Sequence, residues 1–371
     1  MNLEGKHTPT SLKRNRHDVP KTVVGLSVAA LSLALACGGS TLDPKLDKAL
    51  WIANGTNVVE YIPAQLAKGA PSEAPHLVNN SSVFGAPQGV TFDAQGNLWV
   101  IDGGTLGAGG TANPALYEFT AAQLAGLHAN NSPMPSVALN SASFTFPQQA
   151  VFDPHGNLWV SDNGSNAVFV FTPEQLMAPN SNVTPYISIT SSPAFMGPLG
   201  ITFDAAGDLW VANNASTTLF EFEAKALPST PGSVTLAPNV TLSDDGNGSI
   251  QAPWALVFDS VGDLWSSNAN APNTVVKFAK ADLGTSGSPV PAVTLGPTTV
   301  GGNSTLAAPN GIAFDNLGDL ASISSASPFG VAVFGHEQLV SGGAIAPDAF
   351  VAGTVTTLDA PAGCNYGPVV N

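Results

Sequence analysis

The chain is 371 residues long, 44% hydrophobic and only 10% charged, with 38 Gly and 30 Pro; such a composition supplies a core interrupted by many turns and excludes a disordered chain. Residues 1–36 hold five of the eleven Lys/Arg, so residues 37–371 carry six Lys, no Arg and 24 acids, a formal charge of −18. A field of that sign repels polyanions, and without arginine there is no bidentate fork for phosphate, so nucleic acid is not an expected partner.

In chain order, Lys13, Arg14, Arg16 and Lys21 precede an apolar run over 23–36 that is too short to span a bilayer stably and is followed by small residues. This pattern predicts a secretory signal peptide over 1–36. Its end, Leu33-Ala34-Leu35-Ala36-Cys37-Gly38-Gly39-Ser40, resembles a bacterial lipoprotein signal, in which the cysteine becomes the lipidated first residue. Ala34 stands where such signals usually carry Leu, and Ala34-x-Ala36 also satisfies ordinary signal-peptidase cleavage. The expected organisation is a lipid on Cys37, a tether over 37–46 and a domain over 47–371 at the bacterial cell envelope, or a secreted domain if Cys37 is not lipidated. Contact with the membrane is then expected only through the lipid. Cys364 is the one other cysteine, so no disulfide framework is encoded, and it is expected to pack as a small hydrophobe.

From residue 87 the chain repeats itself. Pro-x₁₁-Trp recurs at Pro87/Trp99, Pro147/Trp159, Pro198/Trp210 and Pro253/Trp265, then as Pro309/Ala321 without the Trp, at intervals of 60, 51, 55 and 56 residues. The alternation Val90/Phe92, Ala150/Phe152, Ile201/Phe203, Leu256/Phe258 and Ile312/Phe314 predicts an inner strand. The Asp that follows (Asp93, Asp153, Asp204, Asp259, Asp315) opens a hairpin closed through Gly96, Gly156, Gly207, Gly262 or Gly318, and is read as a turn-stabilising residue rather than a metal ligand. A second strand carries Leu-Trp. A third ends in an aromatic-x₄-Leu pattern at Tyr61/Leu66, Phe119/Leu124, Phe171/Leu176, Phe222/Leu227, Phe278/Leu283 and Phe334/Leu339, which predicts a short helical turn before an outer strand. Each unit is a four-stranded blade, and the repeated Trp is expected to pack between blades.

The first unit begins part-way, at Leu50-Trp51-Ile52-Ala53, without an inner strand. Pro361-Ala362-Gly363-Cys364-Asn365-Tyr366 reproduces the inner-strand register at the far end. The expectation is therefore an all-β, six-bladed β-propeller of four-stranded blades, its ring closed by the C-terminal strand joining the N-terminal blade. The stretches 87–102, 147–162 and 198–213 resemble the NHL-repeat type of propeller and the wider superfamily of gluconolactonase-like, regucalcin-like and streptogramin-lyase-like proteins. The resemblance covers nearly the whole of 47–371; it is specific for fold and not for activity.

In this topology the segments before each inner strand and after each second strand share one face around the channel. That face is predicted to carry Gln88, Asp102, Gln148, Asp162, Asn163, Asn213, Trp254, Asn268 and Asn310 as candidate ligand-binding residues. Asp102, Asp162 and Asn213 offer hard oxygen ligands, so Ca²⁺ is the one cofactor considered; the competing reading is that they cap their turns. Resemblance to the lactonase-like proteins implies a channel cation held by Glu, Asn and Asp, yet the glutamates are expected on third strands or the opposite face. The histidines His76, His128, His155 and His336 are placed away from the channel, against a lyase-type acid–base pair. No catalytic residue is assigned. The expected function is a non-enzymatic binding or interaction scaffold using this face for a neutral small molecule, glycan or protein, as a monomer. The alternative is a cation-dependent lactonase-like or lyase-like enzyme.

Overall fold

The computed structural model describes residues 48–370, apart from 105–112, 130, 178–181 and 354–355. The predicted signal, the tether, Cys37 and most of the Gly-rich stretch 103–110, read from sequence as a flexible insertion in the second blade, lie outside the described residues.

Six sheets of four or five strands surround a common axis as a β-propeller. In each blade the inner strand is the Pro-led segment: Pro87–Phe92, Pro147–Phe152, Pro198–Phe203, Pro253–Phe258, Pro309–Phe314 and, for blade 1, Pro361–Pro368. The second strands (Lys48–Asn54, Leu98–Asp102, Leu158–Asp162, Leu209–Asn213, Leu264–Asn268 and Leu320–Ser324) pair antiparallel with them. Among the described residues no helix is long and apolar enough to cross a membrane.

The hairpins form as the Asp and Gly spacing dictates. Asp93 Oδ1 accepts from the amides of Gln95 (3.0 Å) and Asn97 (2.9 Å), and Asp153, Asp204, Asp259 and Asp315 make the same pair of bonds in their blades. Gly96 closes the turn at φ +79°, where a Cβ would be strained. All six aromatic-x₄-Leu segments carry a short helical turn, α or 3₁₀.

The core is a ring of six clusters, each made by the facing sides of two neighbouring blades. Strand alternation produces this arrangement: Leu50 and Ile52 face blade 6, while Trp51 and Ala53 face blade 2. Each repeated Trp meets, edge to face, the inner-strand Phe of the next blade. The pairs Trp51–Phe92, Trp99–Phe152, Trp159–Phe203, Trp210–Phe258 and Trp265–Phe314 have ring centroids 5.4–6.1 Å apart. Across the last boundary Ala321 faces the buried Tyr366 within one cluster.

The C-terminal strand pairs along the whole of Lys48–Asn54, from Lys48↔Pro368 to Asn54↔Pro361. Blade 1 has a chain end where the others have a hairpin, and the tail supplies the missing contacts. Trp51 Nε1 donates to the Pro368 carbonyl (3.2 Å), whereas Trp99, Trp159 and Trp265 donate to their hairpin aspartates. The Val370 amide donates to the buried carboxylate of Glu60 (3.0 Å), which also holds His76 (2.9 Å). Cys364 packs against the blade 6–blade 1 cluster, and burial pushes its thiol up to about 12.

Blades 3 and 5 carry a fifth strand that the sequence did not announce. Gly232–Leu236, from the loop before the outer strand of blade 4, adds parallel to Ile187–Ser191 of blade 3, and Gly343–Ala344 of blade 6 adds to Val293–Gly296 of blade 5. These additions cover two outer edges and staple neighbouring blades together.

Inner strands approach closely at the second residue after each Pro: Gly89, Gln149, Gly200, Ala255, Gly311 and Gly363. A Cβ on Gly363 would lie 2.6 Å from the Gln88 carbonyl oxygen, and one on Gly200 would lie 2.5 Å from that of Trp254. Both obstacles are backbone, so Gly200→Ala is expected to destabilise the fold by about 1–3 kcal/mol, read as a lowered midpoint in chemical denaturation with the cooperativity unchanged.

Candidate functional site

The last residue of each second strand reaches the face predicted for binding, and there the six blades behave alike. Asn54, Asp102, Asp162, Asn213, Asn268 and Ser324 are all fully buried. Each accepts from the backbone of the loop that enters its blade's inner strand: Asp359, Gly85 (2.8 Å), Thr145 (2.9 Å), Met196, Gln251 (2.9 Å) and Ala307 (3.0 Å), respectively. The two aspartates do most. Asp102 also accepts from Ala86 (3.0 Å) and Gly104 (2.7 Å), and Asp162 from Phe146 (3.1 Å) and Ser165 (2.8 Å). Asn54, Asp102, Asp162, Asn213 and Asn268 are latches that tie the segments on either side of the hydrogen-bonded strand pair, and Ser324 holds the entering loop.

Electrostatics follow from that burial. Desolvation raises the Asp102 carboxyl above the usual range, while the amides of Ala86, Gly104 and Gly85 pull it back. Nearby Tyr117 is pushed up to about 12, by burial and then by the Asp102 charge.

Asp102, Asp162 and Asn213 thus occupy equivalent places in three different blades, with their oxygens turned to backbone amides of their own blade. Among the described residues no three His, Cys, Asp or Glu side chains are grouped as a metal site requires. A cation at Asp102 or Asp162 would have to displace three amide donors from each carboxylate, leaving those amides buried and unpaired. The residues do not fit a channel cation.

The other predicted residues form the neutral part of the face. Gln88 and Trp254 are half-buried and start their inner strands; the Gln88 amide donates to the Ala86 carbonyl (3.0 Å). Gln148 and Asn310, at the same register position, are 2% and 3% exposed. Asn310 donates to the Pro361 carbonyl of blade 1 (3.0 Å), but its Oδ1, like Nε2 of Gln148, is buried without a partner among the described residues. Blades 3 and 6, which carry these two, stand three apart in the ring of six. Asn268 is wholly committed as a latch, with its amide on Ser249 O (3.1 Å) and Thr274 Oγ1 (3.0 Å). Asn163 lies beside Gly197, whose Cβ would come 3.0 Å from its Nδ2.

Two residues of this face were missed from sequence. Phe146 occupies the place before the Pro where the other repeats carry Ala86, Gly197, Ala252, Ala308 and Ala360. It is half-buried, held by the Asp162 latch, and its ring lies where a Cβ on Gly103 would fall (2.5 Å). Gln149 is the one long side chain in the inner-strand ring of Gly and Ala, and its amide extends to within 3.0 Å of where a Cβ on Gly363 would stand, two blades away. Both signals are breaks in the repeat. The histidines are elsewhere: His76 pairs with Glu60 and stacks on His128 (5.1 Å), and His336 pairs with Asp319 (3.0 Å).

No protein-family model and no curated protein matches the chain. Solved structures of similar fold include a Bacteroides caccae protein of unknown function (9% identity, TM-score 0.55, covering 86% of this chain and 99% of that one). Others are a chain of the nidogen/laminin complex (12%, 0.54, 86% and 98%) and a candidate 6-phosphogluconolactonase from Bacteroides fragilis (11%, 0.53, 88% and 99%). At these identities the likeness is one of fold.

Proposed function

We propose that this propeller is a non-enzymatic binding module of the NHL-repeat type, held outside the cytoplasm by a lipid on Cys37. Its ligand is a neutral, hydrogen-bonding molecule, glycan or protein segment that docks on the channel face, reaching across the channel from blade 3 to blade 6. The observation that carries this reading is the pair of buried, unpartnered carboxamide atoms at Gln148 and Asn310, one a donor and the other an acceptor. Buried polar groups are ordinarily paired, so a ligand able to accept from one and donate to the other would repair both. Gln88, Gln149 and Asn163 offer further amides, and Phe146 and Trp254 offer apolar faces for a sugar ring or an aromatic side chain.

Gln148→Met tests the site without harming the fold, because it removes an unpartnered polar atom at nearly constant volume. It is expected to raise stability slightly, by up to about 1–2 kcal/mol, and to weaken by tenfold or more any neutral ligand found by thermal-shift and glycan-array screening of residues 48–371. Retention of full affinity in both Gln148→Met and Asn310→Leu would remove this face from the reading. Binding that required Ca²⁺ would instead favour the lactonase-like or lyase-like alternative. Incorporation of labelled fatty acid, lost in Cys37→Ser, tests the anchor.

A further inference from the structure

The opposite face of the ring, where the hairpins lie, carries a crevice between blades 4 and 5 that has an internal counterpart one blade further on. In blade 5, Lys277 stands directly across the strand pair from Trp265. Its ammonium lies 3.3 Å from Asp263 Oδ2 and 5.5 Å from the centroid of the Trp265 ring, with both the Lys and the Asp largely buried. Asp263 Oδ1 meanwhile accepts from the Lys280 amide (2.8 Å), and Asp259 Oδ2 accepts from Trp265 Nε1 (3.0 Å). One carboxylate oxygen and one indole face therefore hold a buried ammonium.

Blade 4 repeats this frame residue for residue. Trp210 matches Trp265, Asp208 matches Asp263 and Asp204 matches Asp259; Asp208 Oδ1 accepts from the Ala224 amide (2.7 Å) just as Asp263 does from Lys280. The residue opposite Trp210, however, is Glu221. Where blade 5 has its own cation, blade 4 has another carboxylate, as blades 1 and 2 do at Glu60 and Glu118, which His76 and Ser136 engage. Glu221 is 4% exposed, and among the described residues neither its Oε2 nor Nε1 of Trp210, a residue only 2% exposed, has a hydrogen-bond partner. Asp204, Asp208, Trp210, Glu221 and Glu223 line one wall of a cavity of about 520 Å³, and blade 5 forms the other.

We propose that this crevice binds a primary ammonium group on an aliphatic stem, seated between Asp208 and Glu221 against the Trp210 indole, where Lys277 places its own ammonium in blade 5. A divalent metal is the poorer fit, since these carboxylates do not group as metal ligands among the described residues. An ammonium needs only one good carboxylate contact and an aromatic wall, as blade 5 demonstrates.

The charges around the crevice agree with this. Lys225 is taken by Glu223 (2.6 Å) on the exposed edge. Lys280 stands on the blade 5 wall over Gly262, solvent-exposed and, among the described residues, in no ion pair. Asp259 belongs to the facing hairpin. The Glu221 carboxyl is pushed up to about 7, by burial first and then by Asp208, Glu223 and Asp204. A bound ammonium favours the ionised form, so binding should strengthen as pH rises through 7 and fade below it. The same shift makes the free protein lose stability as pH rises from the ordinary carboxylate range through 7, because the folded state holds the proton that the unfolded state releases. Glu221→Gln is expected to abolish that loss, giving a higher midpoint than the parent at pH 8.5 and little difference at pH 5.

Butane-1-amine and a capped Gly-Lys-Gly peptide distinguish a free amine from a lysine side chain of a partner, with butan-1-ol as the uncharged control. Titrated into residues 48–371 at pH 8.5 by calorimetry or NMR, at least one ammonium probe is expected to saturate one site, the alcohol none, and Glu221→Gln and Asp208→Asn are each expected to weaken binding tenfold or more. Glu221→Lys makes blade 4 a copy of blade 5, and should raise the melting midpoint while eliminating amine binding. A lowered midpoint in Glu221→Lys, amine binding that appears only in Lys280→Met, or a Ca²⁺ site with the same residue dependence would each overturn the proposal. None of these variants touches the channel face, so failure here leaves the reading of Gln148 and Asn310 standing.

Discussion

A chain ending at residue 360 is expected to yield no soluble, cooperatively folded protein. The deleted segment is the inner strand of blade 1, and its removal takes away Cys364, Tyr366 and Val370 while uncovering Leu50, Trp51 and Ile52, all three fully buried in the closed ring. Six side chains at roughly 1.5–3 kcal/mol each reach the ~5–15 kcal/mol that stabilises an ordinary domain. The loss also leaves Glu60 without its Val370 amide and opens a sheet edge along Lys48–Asn54. A circular permutant separates this from a simple length effect. Because Lys48 pairs with Pro368, a short loop can join the two ends as a hairpin like those of the other blades, with new termini cut between blades 1 and 2. The permutant is expected to unfold at a midpoint close to the parent's. A truncated chain that still melts cooperatively would mean the ring does not depend on its seam.

That seam was legible because it rests on local pattern. Pro361 and Tyr366 repeat the spacing of Pro87 and Phe92, and the half-unit at Leu50-Trp51 requires an inner strand from somewhere. The fifth strands were not legible. Gly232–Leu236 has the alternation of a strand, but which edge it joins is decided by the path of a loop, and it crosses to blade 3 rather than staying with blade 4. The candidate site divides in the same way. The positions of Asp102, Asp162 and Asn213 at the ends of second strands follow from the repeat, whereas the direction of their oxygens follows from where the loops at Gly85, Thr145 and Met196 pass overhead. Lists of oxygen ligands cannot distinguish a metal cage from a set of latches. Phe146 and Gln149 were legible in principle, since each is the member of its repeat column that breaks the rule, and such breaks are where a repeat scaffold has room for function; Glu221 was not, because Glu60 and Glu118 hold the same place in blades 1 and 2 and only its surroundings set it apart.

The latches carry the second large effect. Asp162→Ala is expected to destabilise the protein by about 2–4 kcal/mol, because it removes a buried charged acceptor and leaves the amides of Thr145, Phe146 and Ser165 without it. Asp162→Asn should cost far less, about 1 kcal/mol, since blades 4 and 5 run the same latch on Asn213 and Asn268. Equilibrium denaturation of the three proteins with and without millimolar Ca²⁺, and again with a chelator, checks both halves of the argument. The order parent, Asn, Ala should be the same in every buffer, since the carboxylate's partners are amides of its own blade. If Asp162→Ala lost nothing beyond a Ca²⁺-dependent increment seen in the parent, the latch would be a ligand set after all, and the channel face would have to be read again around a cation. The same substitution should also loosen Phe146, whose backbone the latch holds. It should therefore weaken ligand binding on the channel face even though Asp162 touches no ligand, and Asp162→Asn should restore most of that affinity along with the stability.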